Sequence, residues 1–137
     1  MLPALVADGL QVTLRDRERN FTLAIDDLVV MPGEAVGLTG ASGTGKTLLL
    51  EVLGLLKRSD GEGDYLLSGS FGTLDLNALW RRRGGRAGMA RVRGMHFGFV
   101  PQSGGLLPFL TLVDNVRLSQ VVSGRRDEAF LRVVLAR

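Results

Sequence analysis

Eight consecutive residues, Gly40, Ala41, Ser42, Gly43, Thr44, Gly45, Lys46 and Thr47, constrain this chain more than any other feature. They match G-x-x-x-x-G-K-[ST] in full, a loop whose successive backbone N–H groups turn inward as an anion-binding nest. Its glycines permit backbone conformations closed to other residues and let the chain approach a phosphate closely. Such a loop works only between a strand and a helix. Ahead of it, Ala35, Val36, Gly37, Leu38 and Thr39 form a short, nearly all-apolar run, which predicts a strand buried on both faces. Behind it, residues 46–57 read as a helix. Leu48, Leu49, Leu50, Val52, Leu53, Leu55 and Leu56 are too many for a one-sided stripe, so the helix is expected to be largely buried. In this setting Lys46 reaches the β- and γ-phosphates, the Thr47 hydroxyl ligates Mg²⁺, and the helix N-terminus adds positive potential. A bland glycine-rich turn with an incidental lysine would need neither flank.

The rest of the chain supplies a frame for that loop. Leu10, Val12 and Leu14 alternate with polar residues, and Phe21, Leu23 and Ile25 repeat the pattern after a charged turn. This predicts an antiparallel pair. Pro32-Gly33 breaks the chain. Tyr65 to Leu67 suggests a short strand, and residues 76–83 a helix ending at Gly84-Gly85. Residues 95–100 read as a strand stopped by Pro101, with His96 a strand residue whose ring is satisfied. Residues 113–122 and 127–136 predict two helices, the second N-capped by Asp127. At 137 residues, the chain suffices for one core and hardly for two.

Composition removes several chemistries. There are no cysteines, which removes disulfides and thiolate chemistry, and the one histidine, His96, has no partners at the spacing that a histidine metal cluster or a Ser/His/Asp triad needs. No apolar run is long enough to cross a bilayer, and no secretory leader is evident, which predicts a cytoplasmic protein. The formal net charge is +3. Arg81, Arg82, Arg83, Arg86, Arg91 and Arg93 crowd one glycine-interleaved segment. Apart from Trp80 it has no aromatic interleaving and no reading-helix motif, so nucleic acid is the weaker reading beside a solvated surface that touches an acidic partner.

Downstream residues decide which phosphate-binding enzyme this resembles. Phe97-Gly98-Phe99-Val100-Pro101-Gln102 places a glutamine at the end of an apolar run, about 55 residues after Lys46. Leu106-Leu107-Pro108-Phe109-Leu110-Thr111-Leu112-Val113-Asp114-Asn115-Val116 follows it, and Gly33-Glu34 precedes the loop strand. With the loop itself, this strongly resembles the ATP-binding cassette (ABC) transporter ATPases, most of all the lipoprotein-release and macrolide-export type. The resemblance covers nearly the whole chain. No guanine-reading N-K-x-D is present, and the segment after Gln102 argues against a nucleotide kinase.

The resemblance implies an α/β fold, a P-loop NTPase core with an N-terminal antiparallel β subdomain. It implies ATP and Mg²⁺ as cofactors, with residues 40–47 holding nucleotide, and Thr47 and Gln102 at the metal. Gln102 is its one catalytic candidate, positioning water and Mg²⁺ near the γ-phosphate. Residues 102–116 would meet a membrane subunit and couple nucleotide state to export, on the cytoplasmic side of the membrane. A second nucleotide-binding domain is implied as a dimer partner. A non-enzymatic module docking on a transporter membrane subunit is the rival reading.

Departures from the family pattern bear on activity. Residues 1–137 contain no L-S-G-G-Q signature, Walker B Asp-Glu or switch histidine, so they read as a truncated nucleotide-binding domain that binds Mg·ATP without turning it over. Ser103-Gly104-Gly105 is Q-loop sequence, and Leu23 to Asp27 only mimics a Walker B ending. The adenine-stacking position aligns with Arg17, whose planar guanidinium also stacks, with Phe21 nearby. Leu48 stands where a hydroxyl donor to the α-phosphate is common, a loss of about 1.5–3 kcal/mol if nothing replaces it. In the family, two strands, one carrying Walker B, lie between the P-loop and Q-loop strands. Their absence from these residues predicts unpaired edges and a poorly stable chain. A cooperative thermal transition with a strong near-UV signal from a monomer would contradict that expectation.

Overall fold

Two long strands form the base on which the rest of the N-terminal portion is laid. The computed structural model describes residues 1–15, 20–60, 62–102 and 105–136. β1 (Leu5–Arg15) and β2 (Asn20–Val30) pair antiparallel, with Leu10 opposite Ile25 and Val12 opposite Leu23. This is the pair that the alternation predicts. Gly9 sits at φ +63, and there the buried side of β1 switches from Ala7 to Leu10 and Val12. β3 (Asp64–Gly69) joins the other edge of β1, and β4 (Gly72–Asp75) joins β3. The order is β2-β1-β3-β4, antiparallel throughout.

α1 (Lys46–Leu53) follows the glycine loop. It stops short of the expected Lys57, because Gly54 caps it and Leu55 turns to φ +58. That backbone state is costly for leucine, and it places the Leu55 side chain in the core. The helix is one-sided rather than largely buried: Leu48 and Val52 are covered, while Leu50 is half exposed. Tyr65 fastens it to the sheet, its hydroxyl donating to the carbonyls of Leu53 at 2.7 Å and Val52 at 3.1 Å.

The turn into β3 is held by polar contacts. Buried Ser59 donates to Asn77 Oδ1 at 2.8 Å, and Asn77 Nδ2 donates to the Gly63 carbonyl at 2.8 Å. Asn77 lies on α2 (Leu76–Arg81), whose N-cap Asp75 accepts from Ala78 N. Gly63 has φ +84, and a Cβ there would fall on the carbonyl oxygens of Asp8 and Gly9, so β1 and β3 meet only because this residue is glycine.

Two expected strands are absent. Residues 35–39 form no strand and Val36 is 47% exposed, because among the described residues no strand pairs with them. An apolar run becomes a buried strand only where neighbours take up its N–H and C=O groups. Residues 95–100 are not a strand either: α3 (Gly85–His96) runs through Met95 and ends at His96, and 97–100 continue without regular structure.

The chain divides into two compact units, Met1–Ala90 and Arg91–Arg137. In the second, α4 (Leu112–Ser123) and α5 (Glu128–Leu135) match the expected helices. Asp127 caps α5 as anticipated, accepting from Phe130 N at 2.8 Å. Arg117 bridges α4 to α5. Its guanidinium donates to both Glu128 oxygens and to Asp114 Oδ1. The hydrogen bonds with Glu128, then its charge, raise the Arg117 pKa, and the same hydrogen bonding lowers that of Glu128. The helices show no buried α4 residue, and Leu131 is the buried side chain of α5.

Two substitutions test this packing. Tyr65→Phe should lower the unfolding free energy by about 1–2 kcal/mol in urea titration, since the Leu53 carbonyl loses its hydroxyl donor. Burial raises the Tyr65 pKa. The unfolded chain therefore ionises at this position first, above pH of about 10. There the native state holds more protons, so stability falls as pH rises, and Tyr65→Phe should flatten that alkaline decline. Gly63→Ala should cost about 2 kcal/mol or more, read as a lowered urea midpoint, because both the positive φ and the strand approach are lost.

Candidate functional site

The glycine loop has the backbone its spelling demands. Gly40, Gly43 and Gly45 take φ of +147, +81 and +95. Gly45 is the N-cap of α1, without a side-chain cap and with no acidic residue in the first turn. The first N–H groups of α1 therefore stay available to an anion, with the positive end of the helix behind them. Thr44 Oγ1 donates to the Ala41 carbonyl at 2.9 Å and closes the loop on itself. Lys46 Nζ donates to the carbonyls of Gly40 at 2.7 Å and Ala41 at 2.6 Å. The ammonium is thus anchored across the loop, and one of its three N–H bonds remains for a ligand.

Around the loop lies a depression of about 320 Å³ lined by Leu23, Leu38, Thr39, Gly40, Thr44, Gly45, Lys46 and Leu49. Thr47 is exposed. Leu48 is turned into the core, 6% exposed, so its side chain offers nothing to a phosphate. Phe21 is a neighbour that the motif did not announce. A Cβ at Gly45 would come within 3.0 Å of its ring, so the absence of a side chain at 45 lets the aromatic close on the loop. The hairpin register carries the signal: Phe21 lies two residues from Leu23, which also lines the depression. Arg17 lies outside the described residues.

These residues fit a nucleotide triphosphate with Mg²⁺. The chemistry is the N–H groups of a helix start without a side-chain cap, the Lys46 cation, and the exposed Thr47. Among the described residues, no group of three or more His, Cys, Asp or Glu is arranged to hold a metal. A magnesium ion here would accordingly draw most of its oxygens from phosphate and water.

Gln102, the other candidate, is an exposed residue of the second unit, while residues 40–47 belong to the first. Ser103 and Gly104 lie outside the described residues. Beyond them, Asn115 holds the following segment in one shape. Its Oδ1 accepts from Leu107 N at 2.7 Å, and its Nδ2 donates to the carbonyls of Leu107, Leu110 and Thr111 at 3.0–3.2 Å. Thr111 caps α4, accepting from Asp114 N and donating to Asp114 Oδ2 at 2.6 Å. The clamp leaves Leu106 and Phe109 outward, 63% and 79% exposed. Asn115 is visible in the sequence, but its use as a fourfold clamp is not.

Comparison with known proteins agrees with this geometry. The family model for ABC transporters matches residues 23–136. The chain is 39% identical over 103 residues to the macrolide export ATP-binding/permease protein MacB of Pasteurella multocida, covering 74% of this chain and 14% of that protein. It is 37% identical over 98 residues to the lipoprotein-releasing system ATP-binding protein LolD of Paramagnetospirillum magneticum, covering 72% of this chain and 39% of that protein. The chain thus spans well under half the length of these relatives. Among solved structures, it resembles an ATP-binding cassette in a dimeric post-hydrolysis state bound to ADP and Pi. The TM-score is 0.72 and the identity 25%, over 90% of this chain and 49% of the other. That neighbour has the P-loop NTPase fold, and this chain belongs to the ABC transporter family, resembling the ATP-binding domains of the macrolide-export and lipoprotein-releasing proteins.

Proposed function

We propose that residues 40–47 bind Mg·ATP and that the chain is the nucleotide-binding part of an ABC transporter that drives export. The observation that carries this is the uncapped α1 N-terminus beneath a positive-φ glycine loop, with Lys46 anchored across it. Bound Mg²⁺ would neutralise phosphate charge and order the β- and γ-oxygens. The N–H groups of the loop and of the first turn of α1 receive the phosphates, Lys46 directs its remaining N–H toward them, and Thr47 offers its hydroxyl to the metal. Phe21, at the loop rim, supplies an aromatic edge beside the nucleotide. Gln102 is proposed, from the family resemblance, as a residue that would help hold the metal and its water.

Residues 1–137 constitute, on this reading, a nucleotide-binding domain with its Walker A and Q-loop elements. Among the described residues none is proposed as a Walker B base, and these residues alone are proposed to bind nucleotide without hydrolysing it. Residues 102–116 are the surface for a membrane subunit, with Leu106 and Phe109 presented by the Asn115 clamp. The working position is the cytoplasmic side of a membrane, beside that subunit and a second nucleotide-binding domain.

Calorimetric titration should show Mg·ATP binding that weakens at least tenfold in Lys46→Ala, as expected on losing a charged hydrogen-bond donor worth about 1.5–3 kcal/mol. Omitting Mg²⁺ should weaken it as well. Phosphate release from the purified chain should not exceed that of Lys46→Ala; a rate abolished by that substitution would sink the no-turnover claim. Asn115→Ala should leave nucleotide affinity unchanged, yet raise amide hydrogen exchange at Leu107 by roughly tenfold, the loss of about one hydrogen bond.

A further inference from the structure

The corner between α2 and α3 carries a concentration of positive charge that nucleotide binding does not use. Residues 76–113 contain six arginines and no acidic residue, whereas the remainder carries eleven basic and fourteen acidic residues. The chain's net positive charge is thus a property of this stretch. Within the first unit, Arg82, Arg83 and Arg86 are all exposed. Among the described residues, none of the three forms an ion pair.

The corner is built to hold them in place. Arg82 N donates to the Leu79 carbonyl at 3.3 Å, and Gly85 N donates to the Arg82 carbonyl at 2.9 Å. Gly84 turns the chain at φ +81. Gly85 is buried, and a Cβ there would strike the carbonyl oxygens of Trp80 and Leu79 at 2.5 and 2.7 Å. Met89, one turn further along α3, is fully buried and anchors the second arm. The arginines therefore stand on a fixed backbone rather than a floppy loop, which lowers the entropy lost when a surface engages all three. Trp80 precedes them, half-buried, with the amphipathic ring that settles at lipid headgroups.

We infer that the Arg82, Arg83 and Arg86 corner, with Trp80, is a docking surface for the anionic headgroups of a lipid bilayer. The choice of a bilayer over other anions rests on the transporter reading above, which places this chain beside a membrane. Three arginines near an anionic leaflet suffice for weak, salt-sensitive and reversible attachment. Duplex nucleic acid fits less well. Three charges neutralise few phosphates, and Trp80 is the one aromatic ring among these side chains.

The test uses the full 137-residue chain and vesicles of phosphatidylcholine with or without about one-third phosphatidylglycerol. Co-sedimentation and the emission of Trp80, the sole tryptophan, report binding. Wild type should bind the anionic vesicles and be released by salt. R82E/R83E should bind at least about tenfold more weakly. R125E/R126E makes the same net charge change at two exposed residues elsewhere and should retain binding. Circular dichroism should show all variants equally folded, and Lys46→Ala should bind vesicles normally, so loss of nucleotide binding and loss of lipid binding are separable failures. Equal binding to neutral vesicles, equal loss in both charge-matched variants, or complete transfer from vesicles to duplex DNA at equal phosphate concentration would each overturn the proposal.

Discussion

The hydroxyl of Tyr65 is the contact on which the functional end of the first unit depends. Burial raises its pKa, so the phenol stays protonated further into the alkaline range, and it donates to the carbonyls that close α1. Because α1 is only eight residues long, its own hydrogen bonds could not keep it helical in water. Docking through Leu48, Val52 and this hydroxyl makes it a fixed rod on the antiparallel sheet. A fixed rod gives a fixed N-terminus, and the proposed phosphate cradle is that N-terminus plus three glycines.

The second unit solves a similar problem with side-chain amides instead of burial. α4 has no buried residue, so packing does little to position the loop that leads into it. Asn115 does so by directing both ends of its side-chain amide at residues 107–111. Gln120 repeats the device at the other end of α4, accepting from Asp127 N and donating to the Asp127 carbonyl, both at 2.9 Å. Arg117 then ties the two helices through Glu128. Polar staples of this kind hold shape while leaving apolar side chains such as Leu106 and Phe109 outward.

What could be read from the sequence follows a physical division. The β1–β2 pair, the glycine loop, α4 and the Asp127 cap rest on short-range rules, namely alternation, glycine conformation and capping, and these hold wherever the chain goes. Residues 35–39 and 95–100 failed because an apolar run states only a need for burial. Whether it becomes a strand depends on partners elsewhere, and among the described residues none is offered. His96 moved from an expected strand to a helix end for this reason, α3 propagating from Gly85 through the arginine-rich stretch. The contact of Phe21 with Gly45 was equally hidden, since it joins a hairpin to a loop more than twenty residues away.

Leu48 shows how the two demands meet at one position. On the proposed reading, a hydroxyl there would serve the α-phosphate, yet position 48 lies on the face of α1 that packs into the core. A buried hydroxyl without a bound nucleotide would need a partner inside an apolar interface, at a cost comparable to a lost hydrogen bond. Leucine removes that cost and adds apolar area to the interface that fixes α1. Stability of the cradle and side-chain contact with the ligand thus compete at residue 48, and this chain favours the cradle. On the proposed reading, phosphate recognition would then be left to backbone N–H groups, Lys46 and Thr47, whose positions depend on the burial of Leu48 itself.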